Sequence, residues 1–221
     1  MFTVTATSQT KRQRLRARLP SLKEWLFLVG GAVIALGVVG VVHLIHDSQT
    51  PIPYQPNGIT ASWIAPTVKH WSGPIDTMAK KYDIDPNLVA IIMTMESGGD
   101  PKAQSPDGAI GLMQVTPTTA KDIAARLLKQ PRTSYNLKDP TTNIEFGVAY
   151  LAWLRDQFGT VQQGPDWTST VELVAAGYNG GPGAANDLEE GKGLQDTQTV
   201  VYSRDAFNMW RERHASDRPN L

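Results

Sequence analysis

The sequence predicts a mainly α-helical domain set behind a single N-terminal membrane-spanning helix. Three observations carry this expectation. One long stretch near the N-terminus has no charged side chain. Several later segments repeat apolar residues at helical spacing behind Asp-Pro or Thr-Pro pairs. No segment alternates apolar and polar residues in the period-2 pattern of a strand, although a short hairpin is compatible with the loops near 101–113.

The uncharged stretch runs from Trp25 to Ile45. As a helix its 21 residues would extend about 31 Å, the thickness of a bilayer core. Trp25 suits one interface and the ring of His43 the other. A cleavable leader has a shorter apolar region that ends at small residues, whereas here Val-His-Leu-Ile-His-Asp follows. The sequence therefore predicts an uncleaved anchor over 25–45. Residues 1–24 carry six cations (Lys11, Arg12, Arg14, Arg16, Arg18, Lys23) and one anion, Glu24. The positive-inside rule places this basic segment in the cytoplasm and the rest of the chain outside it. A basic block beside a span needs no nucleic-acid partner, and none is expected.

Formal net charge is zero, with 21 basic and 21 acidic residues, so the part after residue 24 is acidic by five, 15 cations against 20 anions. A hydrophobic fraction of 41% and a charged fraction of 19% are those of a folded protein. Cysteine is absent, which excludes disulfides, thiolate metal sites and a cysteine nucleophile. Residues 46–66 hold Pro51, Pro53, Pro56, Gly58 and Pro66 and read as an extended linker. A domain over 67–214 and a polar tail over 215–221 complete the division.

Within the domain the elements follow in order. Ile75, Met78, Ala79 and Tyr82 form one helical stripe. Asp85-Pro86 supplies a cap and a first-turn proline for the next helix, and Leu88 to Met95 is apolar on nearly every face, as a buried central helix requires. Gly98 and Gly99 end it. Thr116-Pro117 opens a helix with Ala120, Ile123, Ala124, Leu127 and Leu128 on one stripe. Asp139-Pro140 opens another with Ile144, Gly147, Val148, Leu151 and Phe158. A short helix follows Thr168 or Ser169 through Val171, Leu173, Val174 and Ala175, and the last spans roughly 197–211.

The chemistry points to Glu96. It shares an i+4 row with Leu88 and Ile92 at the end of the most apolar helix. A carboxyl buried there, beside the electronegative helix C-terminus, has its pKa raised. It can then hold a proton near neutral pH, as an acid that cleaves glycosidic bonds must. From spacing alone, a Glu96 that simply emerges into water is the first reading, as charged residues at helix ends usually do.

Three short motifs add to this: Glu96-Ser97-Gly98-Gly99, Gly111-Leu112-Met113-Gln114 and Ala176-Gly177-Tyr178-Asn179-Gly180-Gly181. Their order and spacing over about 71–210 resemble the soluble lytic transglycosylase family. The resemblance implies a goose-type lysozyme-like helical domain with a glycan cleft, and cleavage of the bond between N-acetylmuramic acid and N-acetylglucosamine in peptidoglycan to leave 1,6-anhydromuramoyl ends. It implies Glu96 as lone acid and base, Ser97 as a serine that helps hold substrate or the glutamate, Met113 and Gln114 in the cleft, and a Tyr178-Asn179 pair whose tyrosine hydroxyl can hydrogen-bond the catalytic carboxyl. Tyr202 resembles the family's late tyrosine, although Gln198-Thr199 stand where the family has Glu-Thr, and core packing is an equal reading for it. Read without the resemblance, Met113 could fill a core gap and Gly177, Gly180, Gly181 and Gly183 could mark turns. The second carboxylate of an ordinary glycosidase would be Asp100 or Asp107, both of which read first as turn residues; with either, the enzyme would be a water-using hydrolase. A non-catalytic glycan-binding scaffold is the remaining alternative. None of His43, His46, His70 and His214 pairs at metal-ligand spacing within the domain, so neither metal nor cofactor is expected. Expected partners are peptidoglycan strands, the membrane through its one helix, and a secretion or cell-wall machinery.

Overall fold

The computed structural model describes residues 50–129, 131–159 and 168–216. The expected membrane helix over 25–45 lies outside them. Among the described residues no helix is long and apolar enough to cross a membrane.

The described chain is helical, with the elements α1 (Pro66–Lys69), α2 (Ser72–Tyr82), α3 (Pro86–Glu96), α4 (Pro117–Asp122), α5 (Pro140–Phe158), α6 (Thr168–Gly180), α7 (Pro182–Glu189) and α8 (Thr197–Arg211). There is no strand among the described residues. Two isolated antiparallel bridges, Gln104 with Ile110 and Ile110 with Val115, are all that comes of the hairpin compatible with that loop.

The Xaa-Pro starts are built as their chemistry dictates. The side chains of Asp85, Thr116 and Asp139 accept hydrogen bonds from the backbone N–H groups of Asn87, Thr119 and Thr142, and each is followed by a proline in the first turn. Asp196 caps α8 in the same way through Thr199. The central helix α3 is buried along its whole apolar run from Leu88 to Met93. It packs against α1, α2 and α8, while α6 packs against α5, α7 and α8. α3 and α6 both pack on α8, and each ends in one of the three sequence motifs.

Three local features differ from the sequence reading. The stripe from Ala120 to Leu128 is not one α-helix: after Asp122 the chain widens into a π-turn, Ile123–Leu127, closed by Leu128 N–H donating to Ile123 O at 3.1 Å. The wider turn ends the helix before Leu128, whose backbone is extended and whose side chain is buried. Next, α6 runs five residues beyond Ala175 because Gly177 is not a turn glycine. A Cβ at Gly177 would stand 2.7 Å from Leu154 Cδ2 and 3.2 Å from Ala185 Cβ, so the missing side chain lets α5 and α7 close on α6. Finally, Gly181, at φ 81°, turns the chain straight into α7, a helix the glycine-rich sequence conceals.

Residues 50–65 form no regular element, as their prolines require, but part of this segment is packed on the domain. Ile52, Ala61 and Ile64 are buried. Tyr54 Oη donates to Asp76 Oδ1 at 2.9 Å, and the N–H groups of Thr60 and Ala61 donate to Asn87 Oδ1 at 2.8 and 3.1 Å.

One buried amide holds the loop that faces the end of α3. Asn143, on α5 and 1% exposed, donates from Nδ2 to Ile110 O and Leu137 O at 2.8 and 3.0 Å, and its Oδ1 accepts from Met113 N–H at 2.8 Å. Replacing it orphans three backbone groups in a place water does not reach. Asn143→Ala is expected to lower unfolding free energy by about 3 kcal/mol, measured by urea titration, because each orphaned buried group costs roughly 1–3 kcal/mol.

Candidate active site

Glu96 ends α3, half-buried, at the edge of a cavity of about 360 Å³. The cavity is also lined by Asp107, Gln114, Tyr150, Tyr178, Asn179 and Gln198. These residues arrive from five segments: the C-terminus of α3, the loop before α4, the middle of α5, the end of α6 and the start of α8. Tyr202, one turn into α8, donates its hydroxyl to Glu96 Oε1 at 2.6 Å. Tyr202 is packed against the core and contacts the carboxyl as well.

Two effects compete on the Glu96 carboxyl. Burial disfavours the anion and pushes the pKa up from 4.5 to about 7, and the Tyr202 hydroxyl, which bonds best to the anion, pulls it back. Burial wins. The group is therefore divided between acid and anion close to neutral pH. The phenols of Tyr178 and Tyr202 go the other way, raised well above their ordinary value by burial and then by the neighbouring Glu96 charge, so both stay neutral donors.

The other residues of the motifs divide into those that face the cavity and those that build its walls. Gln114 lines it with its backbone at φ 45°, an uncommon conformation for a residue with a side chain, and its Nε2 donates to Gly111 O and Ala103 O at 2.9 and 3.2 Å. Tyr178 lines it too, but its hydroxyl donates to Met113 O at 2.8 Å, so the phenol bonded to the Glu96 carboxyl is that of Tyr202 and not the expected Tyr178. Ser97 is not among the lining residues. Its Oγ donates to Leu112 O at 2.7 Å and accepts from Gly99 N–H at 3.1 Å, tying the end of α3 to the facing loop. Met113 is fully buried in the core, so what it offers the site is its backbone carbonyl. Asp100 accepts from Lys102 N–H at 2.8 Å, as a turn residue does. Asp107, by contrast, is an exposed member of the cavity wall.

A model of the transglycosylase SLT domain matches residues 73–201. The chain belongs to this family. Its fold is the mainly helical, lysozyme-like one of the SLT domain. Similar curated proteins include the membrane-bound lytic murein transglycosylase E of Buchnera aphidicola, 41% identical over 98 residues that make up 43% of this chain and 44% of the relative. The membrane-bound lytic murein transglycosylase C of Actinobacillus pleuropneumoniae is 39% identical over 142 residues, 58% of this chain and 38% of the relative. The chain thus spans less than half the length of these relatives. Among solved structures, an inactive mutant of the lytic transglycosylase Slt from Pseudomonas aeruginosa aligns with a TM-score of 0.51 and 25% identity over 66% of this chain and 25% of that one. The 70-kDa soluble lytic transglycosylase in complex with bulgecin A aligns with a TM-score of 0.53 at 24% identity, over 68% of this chain and 25% of that one, a likeness of fold.

Sequence reasoning passed over one aromatic residue of this SLT cavity. Tyr150, on α5, lines it beside Tyr178, with ring centroids 5.5 Å apart, and burial pushes its pKa up to about 12. Its signal was its place as a half-buried polar aromatic in the row Gly147, Tyr150, Leu151, Leu154 of a buried helix, which periodicity reads as core.

Two outcomes follow from the electrostatics. Tyr202→Phe removes the donor that stabilises the anion, so the acid dissociation constant of Glu96 should fall about tenfold, read as an upward move of its carboxyl titration by carbon-13 NMR. Because folding raises the Glu96 pKa from 4.5 to about 7, the wild type loses stability as pH climbs through that window, whereas a glutamine does not titrate. Glu96→Gln should therefore gain on wild type by up to about 3 kcal/mol between roughly pH 4 and pH 8, measured as the difference of two urea curves.

Proposed function

We propose that this chain is a lytic transglycosylase of peptidoglycan that uses Glu96 as acid and then as base. The observation that carries the reading is a carboxyl poised near neutral pH by burial, in a cavity of an SLT domain, with a tyrosine hydroxyl on one oxygen. The names of the curated relatives, membrane-bound lytic murein transglycosylases, support the substrate and the reaction.

In the proposed sequence, protonated Glu96 gives its proton to the oxygen joining N-acetylmuramic acid to N-acetylglucosamine. The bond between that oxygen and C1 of the muramic acid breaks, and the N-acetylglucosamine side leaves as an alcohol. The substrate's own acetamido group supports the positive charge at C1. Glu96, now an anion, takes the proton of the C6 hydroxyl of the same muramic acid, whose oxygen closes on C1. The product is a 1,6-anhydromuramoyl end, no water is consumed, and Glu96 is protonated again for the next cycle. Ser97, Met113, Gln114, Tyr178, Asn179 and Tyr202 serve substrate binding in this reading. Ser97 and Met113 do so by holding the loop and Tyr178, the others from within or beside the cavity.

Residues 25–45 form the membrane anchor in the same proposal, with residues 1–24 in the cytoplasm and the SLT domain outside the inner membrane, beside a secretion or cell-wall machinery. The uncharged run and its basic flank support this topology, as does the membrane-bound status in the relatives' names.

A second reading has one specific observation in its favour. Asp107 lines the same cavity as Glu96 and could direct a water to C1, which would make the enzyme a hydrolase. Mass spectrometry of muropeptides released by the full chain separates the two. Anhydromuramoyl products that persist in Asp107→Asn and fall by at least about a thousandfold in Glu96→Gln are expected. Reducing muramoyl ends that vanish in Asp107→Asn would replace the transglycosylase with a hydrolase.

A further inference from the structure

Thr199 is buried at the first turn of α8, against the end of α6. A Cβ at Gly180 would stand 2.9 Å from Thr199 Oγ1 and 2.8 Å from Ala184 Cβ, so the glycine allows the hydroxyl to come in beside Asn179. There it sits between two oxygen atoms, 2.9 Å from Asn179 Oδ1 and 2.8 Å from Asp196 Oδ2. A hydroxyl has one hydrogen and can donate to one of them. Asp196 Oδ2 also accepts from Thr199 N–H at 2.8 Å, and these bonds from Thr199 hold the carboxyl below its usual range. At neutral pH Asp196 is an anion that can only accept. The single hydrogen belongs on the carboxylate, because a bond to a charged acceptor is the stronger of the two. Asn179 Oδ1 would then face a second oxygen with no hydrogen between them.

Turning the Asn179 amide about its last bond exchanges Oδ1 and Nδ2 with almost no change of shape and removes the conflict. We infer that Asn179 stands with Nδ2 donating to Thr199 Oγ1, so that its carbonyl oxygen is the atom presented to the cleft. Thr199 and Asp196 are then positioning residues: the carboxylate orients the hydroxyl, and the hydroxyl orients the amide. Asn179 lines the cavity with Glu96. Its oxygen there recognises a hydrogen-bond donor, an amide N–H or a hydroxyl, and repels a carbonyl oxygen. For a glycan of N-acetylated sugars, which rests on the function proposed above, this makes Asn179 a selector for the N–H or hydroxyl edge of the sugar over its acetyl oxygen.

The orientation is tested without any turnover. In isotope-labelled full chain, the two Asn179 Hδ2 protons, identified by their loss in Asn179→Asp, should show strong nuclear Overhauser contacts to the Thr199 methyl group and slow exchange with water. Thr199→Ser should keep the slow exchange, and Thr199→Val should speed it by at least about tenfold. In turnover, Thr199→Val should raise KM for glycan about tenfold with kcat within about twofold, and Thr199→Ser should restore it. Absence of the methyl contact in the wild type, or equal exchange in the serine and valine variants, would overturn the assignment. Should Thr199→Val not fold, the wild-type contact and the serine variant still decide. An inactive chain with the contact present would sink the proposed reaction and leave the orientation standing.

Discussion

Much of this structure can be traced to one constraint: the helix that ends in Glu96 is apolar on every face and has to be covered. α3 is apolar on every face from Leu88 to Met93, so it can exist only with other helices around it, and α1, α2 and α8 supply that cover. Glu96 is the first ionisable group after this run. Its environment is thus inherited from the core, and the helix end adds an electronegative field of the same sign. Its hydrogen-bond partner among the described residues is the Tyr202 hydroxyl, from a helix more than a hundred residues later. Moving α8 by one turn would remove that donor, so the packing of the last helix on the first ones is also a setting of acidity.

The loop between α3 and α4 is the second half of the site, and it is held by bonds rather than by apolar packing. Asn143 grips it at Ile110 and Met113, Ser97 at Leu112, and Tyr178 at Met113 O. Three different elements therefore fix one short run of backbone. This explains why Gln114 can occupy φ 45°, which costs energy for a residue with a side chain: the loop is determined from several sides at once. Its position in turn decides where Tyr178 stands relative to Glu96. The serine and methionine of the motifs work at this level, on the walls, while the cavity itself is faced by Gln114, Tyr178 and Asn179.

What the sequence revealed and what it hid have separate physical reasons. Helix starts were legible because Asp-Pro and Thr-Pro pairs act locally, and the caps at Asp85, Thr116 and Asp139 form within three residues of the capping side chain. Gly177 was not, since a helical glycine pressed against Leu154 and a turn glycine look alike until the neighbour is known. The same ambiguity concealed α7 behind Gly180 and Gly181. The π-turn at Ile123–Leu127 leaves no mark on a stripe that still contains the same apolar residues. The packing of Ile52 and Ile64 was masked by the prolines between them, which argue correctly against a helix and say nothing about burial. At the site, Glu96 could be suspected from its row, but Tyr202 and Tyr150 could not be told from core aromatics, because what separates them is a contact 106 residues away in one case and a cavity wall in the other.

The same competition decides what one carboxyl can do alone. A group that stays an acid can protonate a leaving oxygen but cannot later accept a proton; a group that stays an anion has the opposite limitation. Both steps are open to a single residue only where the two forms are close in free energy under working conditions. Burial without Tyr202 would favour the acid. The phenol bond without burial would favour the anion. In this cavity the two act on the same oxygen pair from opposite directions, and the balance near 7 keeps each form within reach of the other. A second catalytic carboxylate close by would disturb that balance, because its charge would push Glu96 further toward the acid. The acid that also lines this cavity, Asp107, is exposed to water, where its charge is screened. In the proposed reaction a buried, tyrosine-bonded glutamate delivers and recovers the proton with one side chain, and the exposure of Asp107 fits that reading.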